Sequence, residues 1–155
     1  MSHRNFPGGA LFPACLAALI FCGCSTFNYE WRQAVKKPIP TNNITGRWEG
    51  RWISQANGHN DQLRCLITQV DEAHYAAKFH AAYKTWITFH FGYTARLETK
   101  PAAHGVTFHG TADLGLLAGG VYTYDGRADP TNFFSTYDSK YDRGVFQMQR
   151  PAPEP

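Results

Sequence analysis

The feature that most constrains this chain is an alternation of apolar and polar side chains, with a period of two residues, between Thr45 and Arg150. Such alternation is typical of β-strands that bury one face and expose the other. Eight runs of this kind follow one another: GRWEGRWIS, QLRCLITQV, HYAAKFHAAY, TWITFHFGYTARLE, GVTFHGTADL, GVYTYDGRA, NFFSTYD and GVFQMQR. Turn-forming residues separate most of the runs, and no stretch has the pattern of a crossover helix. The sequence therefore predicts an all-β fold, a single antiparallel up-and-down barrel of about eight strands, whose closure removes exposed sheet edges.

Composition agrees with this fold and excludes several classes of protein. Aromatic residues make up 15% of the chain, and it contains fourteen glycines, which suits strands joined by tight turns. A disordered chain would not carry so many aromatic residues. The net charge is only +3, and the basic residues are spread along the chain rather than clustered, so a nucleic-acid-binding surface is not indicated.

The N-terminal residues have the features of an export signal. Arg4 gives a positive start, and an apolar run extends from Ala10 to Cys22. A membrane-spanning helix needs ~20 apolar residues, so this run is too short to cross a bilayer, and Pro13 disfavours a long helix. We therefore expect a secretory signal peptide.

The end of that run, Ile20–Cys24, resembles a bacterial lipobox, in which Leu, a small residue and Gly or Ala precede a cysteine. The resemblance implies cleavage before Cys24, diacylglycerol on its thiol and an acyl chain such as palmitate on the new amine, so that lipid anchors the protein to the cell envelope. By analogy with enterobacterial sorting, Ser25 implies the outer membrane, facing the periplasm. An ordinary signal, cleaved or uncleaved, is the alternative.

A tether is expected between the lipid and the barrel. Within it Phe27, Trp31 and Val35 recur at helical spacing and indicate a short helix. Two placements fit: Trp31 and the lysines that follow could rest at lipid headgroups, or the segment could pack on the outside of the domain. The whole chain then divides into a signal peptide (1–23), a lipidated tether (24–44), a barrel domain (45–151) and a disordered tail (152–155).

The two ends of the strand region carry a family resemblance. Gly46 and Trp48 open the first strand as a G-x-W motif, and Arg150 closes the last. This pattern resembles the calycin superfamily, which includes lipocalins, fatty-acid-binding proteins and avidins. The resemblance implies that the indole of Trp48 plugs one end of the barrel beneath the guanidinium of Arg150, a cation–π contact. The motifs GxWxGxW, DLG-x-x-x-GG and DxGxFxMxR also resemble those of uncharacterised small lipoproteins.

A calycin-like barrel suggests a binding function. An eight-stranded barrel either encloses one small ligand or is filled by side chains. The first hypothesis is an anchored barrel that binds a small apolar molecule or a lipid, and the alternative is a filled barrel that acts through its surface as an envelope scaffold or a protein inhibitor. The expected ligand-lining residues are aromatic: Trp52, Tyr75, Phe79, Tyr83, Phe91 and Tyr122. No nucleophile motif is present, and we expect neither an enzyme nor a cofactor.

Two further features have competing interpretations. His80, His90 and His109 lie on the polar faces of successive strands and could form a zinc site. The favoured alternative is that this face is outside and wet, since no carboxylate that would support the histidines as metal ligands is apparent. The glycine-rich segment Gly115–Gly120 lacks the residues of a phosphate-binding loop. It is expected to be a plain turn, the lip of a ligand pocket or a tip that touches a membrane.

Overall fold

The computed structural model describes residues 26–116 and 119–152. The expected signal peptide, Cys24 and all but the first residue of the expected tail lie outside the described residues. Residues 26–35 form one α-helix, α1. The strands are β1 (Gly46–Ser54), β2 (Asn60–Gln69), β3 (His74–Lys84), β4 (Thr88–Ala102), β5 (Gly105–Asp113), β6 (Val121–Ala128), β7 (Asn132–Asp138) and β8 (Arg143–Gln149).

The eight strands form a closed barrel in sequence order. Every strand is antiparallel to the next, and β8 returns to pair with β1, which confirms the predicted up-and-down barrel. We call the end with the β1–β2, β3–β4, β5–β6 and β7–β8 connections the open end. The opposite end, with the other three connections, is the closed end. Each side chain can therefore be assigned a level between these two ends.

Alternation along the strands places the apolar residues in one interior. In β5, for instance, Phe108 and Ala112 are buried while Thr107, His109 and Thr111 are exposed. The core includes the largest fully buried side chains of the strands: Trp48, Tyr124, Phe79, Phe133, Leu63, Ile67 and Leu97. Each such side chain stabilises the fold by ~1.5–3 kcal/mol relative to an exposed position.

Helix α1 packs on the outside of the barrel. Phe27 and Trp31 are buried with Leu66, an outward-facing residue of β2. The guanidinium carbons of Arg47 and Arg64 lie 5.6 and 5.3 Å from the centroid of the Trp31 ring. Trp31 is therefore covered by protein. Of the two placements expected for the tether, this is the one in which the segment packs on the outside of the domain. Within the described ranges, no helix combines the length and the apolar character that a membrane span requires.

Glycines on the inner face let neighbouring strands approach closely. A Cβ on Gly50 would overlap the carbonyl oxygen of Gln147 and lie 2.7 Å from the Cα of Met148, both in β8. Gly50, the second glycine of the GRWEGRW run, is thus required for the β1–β8 pairing that closes the barrel. In contrast, a Cβ on Gly92 would have room, since its nearest neighbour would be the carbonyl oxygen of Phe79 at 3.5 Å.

We predict that Gly50→Ala destabilises the protein by about 3 kcal/mol or more, because the overlap is with backbone that cannot move without separating two strands. Gly92→Ala, also within a strand, is the matched control and should change stability by less than ~1 kcal/mol. Urea unfolding followed by tryptophan fluorescence measures both. Equal midpoints for the two variants would contradict this account of the closure.

Candidate functional site

The closed end of the barrel is sealed by Trp48. Its side chain is completely buried, and its Nε1 donates a hydrogen bond of 2.9 Å to the carbonyl oxygen of Ile44. The guanidinium carbon of Arg150 lies 3.9 Å from the centroid of the indole. The structure thus brings together the two residues that the calycin resemblance pairs. Gly46 lies beside them: a Cβ added to this glycine would be 3.4 Å from Nη1 of Arg150.

Arg150 joins three separate parts of the chain through backbone acceptors. Its Nε donates to the carbonyl oxygen of Pro130 at 2.9 Å, and its Nη2 donates to that of Asn43 at 2.9 Å. Its Nη1 donates to the carbonyl oxygens of Thr45 at 2.7 Å and Arg47 at 3.2 Å. Burial lowers the pKa of Arg150 to about 10, so the group remains a cation at neutral pH. The rigid fork of donors explains why arginine is suited to this position.

Aromatic side chains fill the middle of the barrel. The ring of Phe79 lies 5.3 Å from that of Tyr93, 5.2 Å from that of Phe146 and 6.0 Å from that of Tyr124, measured between centroids. Phe79 is buried there, and Tyr75 is buried four residues earlier on β3, nearer the closed end. These two residues, expected from the sequence to line a ligand site, therefore belong to the packed part of the interior.

Above this layer lies a cavity of about 500 Å³ at the open end. The structure places the other four expected lining residues in its wall, namely Trp52, Tyr83, Phe91 and Tyr122. The rest of the wall consists of Leu63, Ala81, Phe89, Tyr93, Leu114, Tyr137, Asp142 and Phe146. The cavity is mainly aromatic, with one carboxylate, and it faces solvent at the end opposite Trp48.

Asp142 supplies the carboxylate of the cavity wall. Its Oδ1 accepts a hydrogen bond of 2.6 Å from Oγ of Ser54, and its Oδ2 accepts one of 3.0 Å from the hydroxyl of Tyr137. Burial raises the pKa of Tyr137, and the neighbouring charge of Asp142 raises it further, so the phenol stays a donor. Ser54 and Tyr137 thus fix the carboxylate in one orientation, while each of its oxygens retains capacity for another donor.

Two phenols lie where the cavity meets the packed interior: Tyr93 is part of the cavity wall, and Tyr124 is buried beside it. The rings of Tyr93 and Tyr124 are 6.2 Å apart and nearly parallel, and burial raises the pKa of both. The hydroxyl of Tyr124 is buried close to Tyr93 but makes no hydrogen bond of ordinary distance and angle. A buried hydroxyl without a partner costs free energy.

A stack of three rings stands at the mouth of the cavity. The imidazole of His59 lies 3.9 Å from the ring of Tyr83 and 5.2 Å from that of Trp52. Nε2 of His59 is 2.7 Å from Oδ2 of Asp61, which also accepts a hydrogen bond of 2.7 Å from the backbone of Lys84. The β1–β2 connection is thereby held against the end of β3. The sequence did not predict that His59, Asp61 and Asp142 lie at the cavity, although Asp142 opens the DxGxFxMxR motif, because alternation carries no signal at strand ends and in connections.

The three histidines considered for zinc are not brought together. The rings of His80 and His90 are 5.2 Å apart, but His80 pairs with Gly92 while His109 pairs with Glu98, which is six residues or ~20 Å further along β4. Nδ1 of His109 is instead 2.8 Å from Oδ1 of Asp125. In residues 26–116 and 119–152, no group of three or more His, Cys, Asp or Glu side chains is placed to hold a metal ion.

A second cleft, of about 670 Å³, lies outside the barrel between α1 and strand β2. Its wall includes Lys37, Glu30 and Lys78, and the last two form an ion pair of 2.7 Å. This cleft is larger than the inner cavity, but its wall includes one aromatic residue, Tyr29, whereas eight of the twelve residues around the inner cavity are aromatic. We therefore place the candidate site inside the barrel.

We predict that Arg150→Lys destabilises the protein by about 3 kcal/mol, because an ammonium cannot reproduce four bonds to separate carbonyl oxygens and the stacked contact. Arg127→Lys is the matched control. Arg127 is exposed and its guanidinium carbon lies 5.3 Å from the centroid of Phe134, so its replacement should cost below ~1 kcal/mol. Chemical unfolding compares the two variants, and an Arg150→Lys protein as stable as the wild type would show that the seal is not structural.

His80 should make stability depend on pH. Burial beneath Phe27, with smaller contributions from His90 and Arg64, lowers the pKa of His80 from 6.5 to about 4. Unfolded His80 binds its proton below about pH 6.5, whereas folded His80 stays neutral to about 4. Unfolding therefore takes up a proton in this window, and stability falls with decreasing pH by up to ~3 kcal/mol.

The variant His80→Leu should lose this part of the pH dependence, and His104→Leu, at an exposed position, should retain it. Thermal unfolding between pH 4 and pH 7 measures the difference. Parallel curves for wild type and His80→Leu would contradict the assignment.

No family model matches the chain, and neither the curated proteins nor the solved structures include a significantly similar one. We therefore infer function from the geometry of the barrel and its cavity.

Proposed function

We propose that this chain is a lipid-anchored binding protein of a bacterial cell envelope, whose calycin-like barrel takes up a small apolar molecule or a lipid. The observation that carries the proposal is the aromatic cavity of about 500 Å³, open at one end of a barrel that Trp48 and Arg150 seal at the other. Ligand sites in proteins are usually concave, apolar and about 300–1,000 Å³ in volume.

The cavity favours a ligand with an apolar body and one polar group. Its aromatic walls provide burial for hydrocarbon or ring systems. The carboxylate of Asp142 prefers a hydrogen-bond donor, so a hydroxyl, an amide or an ammonium group fits the wall better than a second carboxylate.

The anchoring part of the proposal rests on the lipobox resemblance at Ile20–Cys24. It is tested by intact-mass measurement of the full chain expressed in a bacterial host and extracted with detergent. We expect a mature protein that begins at Cys24 and carries three acyl chains. Cys24→Ser should carry none, and a wild-type mass without lipid would refute the anchor.

Native mass spectrometry of the same sample tests the binding part. A small molecule that co-purifies with the barrel and is released on activation supports it. The filled interior around Phe79 favours a second candidate function, a barrel that acts through its surface. Reproducible absence of any bound molecule would favour that second function.

We predict that Ala81→Trp weakens binding of the apolar fluorescent probe N-phenylnaphthylamine by at least ~10-fold, because an indole at this wall position occupies the cavity. Ala102→Trp, at an exposed site beside the closed end, is the control and should bind the probe as the wild type does. Fluorescence titration measures both affinities. Equal affinities for the two variants would place the probe elsewhere and argue against the cavity as the binding site.

A further inference from the structure

The open end carries a rim of exposed apolar side chains. Trp86 is 90% exposed, Leu116 is 98% exposed and Phe89 is 56% exposed. Together with Ile87 and Val121 they form what we call the apolar rim. Isolated exposed apolar residues are ordinary, but a contiguous group around the mouth of a cavity marks a surface that meets a partner.

The apolar rim belongs to two connections that flank the mouth. The β3–β4 hairpin stays paired up to Lys84 and Thr88, whereas β5 pairs with β4 only from Arg96 onward. The tip of this hairpin therefore projects beyond the end of β5. The connection after β5 carries Leu114 in the cavity wall and Leu116 on the rim. Each of the two segments thus places an apolar residue in the cavity wall, Phe89 or Leu114, and an exposed apolar residue close by in sequence, Trp86 or Leu116.

Charge is absent from these two segments. Residues 85–93 and 114–121 of the sequence contain no Lys, Arg, Asp or Glu. A protein partner recognised through this surface would ordinarily meet a polar rim around an apolar centre. Uncharged tips with an exposed tryptophan instead match the chemistry of a lipid interface, where indole rings are favoured and leucine and phenylalanine enter the acyl region.

Helix α1 begins toward the same end of the barrel. Phe27, near the start of the helix, stacks on His80 toward the open end of β3, with 4.6 Å between ring centroids. After the helix, Pro40 lies beside Gly46 at the closed end. The helix therefore begins nearer the open end. Cys24 precedes Thr26 by two residues, which span at most ~7 Å, so a lipid on Cys24 would be held on this side of the barrel.

We propose that the apolar rim docks on the lipid bilayer, so that the mouth of the cavity faces the acyl chains. The orientation rests on the proposed lipid anchor, while the rim supplies an independent contact. A ligand would then pass between the bilayer and the barrel without crossing water.

Tryptophan quenching tests this orientation. The full chain, purified with whatever lipid it carries, is placed in vesicles of phosphatidylethanolamine and phosphatidylglycerol, with and without bromine on the acyl chains. The difference between wild type and Trp86→Phe isolates the emission of Trp86. We expect bromine to remove that emission and the vesicles to shift it to shorter wavelength. Because Trp86 is exposed, its replacement should leave the fold unchanged.

A reporter at the closed end is the matched control. Val70 is 63% exposed in the β2–β3 connection, and the double variant Trp86→Phe/Val70→Trp should keep its emission in brominated vesicles. Quenching at both positions, or at neither, would overturn the proposed docking. If two copies of the protein instead paired through their apolar rims, Trp86 would also remain unquenched. Analytical ultracentrifugation would identify such a dimer.

The intact mass of the same sample separates this proposal from the lipid anchor. Lipidated protein with an unquenched Trp86 refutes the docking and leaves the anchor standing. Protein without lipid whose Trp86 is still quenched supports the docking and refutes the anchor.

Discussion

The contact of Arg150 with Trp48 organises the barrel. One guanidinium covers the indole and donates to backbone carbonyl oxygens before β1, at the start of β1 and between β6 and β7. It thereby joins the two ends of the barrel sequence, which must meet for β8 to pair with β1. Because the contact lies at one end, only the opposite end can hold an accessible cavity.

The size of side chains at successive levels explains where the interior is filled. Trp48, Cys65, Phe79 and Tyr93 are paired across four neighbouring strands and form a packed level. The next level toward the open end has Gly50, Leu63, Ala81 and Phe91 in the same strands. The backbone of β8 fills the space beside Gly50, whereas Ala81 lies in the cavity wall. The small side chain of Ala81 leaves space that Phe79 fills in the first level, and the cavity begins there.

The sequence predicted the strands because each has a face in the core and a face in water, so alternation records burial directly. It could not separate cavity wall from packed core, because Phe79 and Phe91 both face inward and differ only in level. His59 and Asp142 were missed for another reason. They lie in connections, and only closure of the barrel brings them to Tyr83 and Ser54. Alternation also placed His80 on the outer face of the barrel, but it did not reveal that His80 lies beneath Phe27 of helix α1.

The apolar rim differs in chemistry from the connections of the closed end. Two of the closed-end connections are built on carboxylates: Asp71 accepts backbone bonds from Ala73 and His74, and Asp129 accepts them from Thr131 and Asn132. The imidazole of His74, hydrogen-bonded to Asp71, lowers the pKa of that carboxyl together with the backbone bonds, and the bonds to Asp129 bring its pKa to about 2, so both stay ionised. Charged turns of this kind require water around them. The open-end tips that form the apolar rim instead carry an exposed indole and no charge. The β7–β8 connection, at the same open end, carries Lys140 and Asp142, so the uncharged apolar surface is confined to the two tips of the rim. An uncharged surface limited to these tips is what the proposed bilayer contact needs, and the closure of a barrel by itself does not call for it.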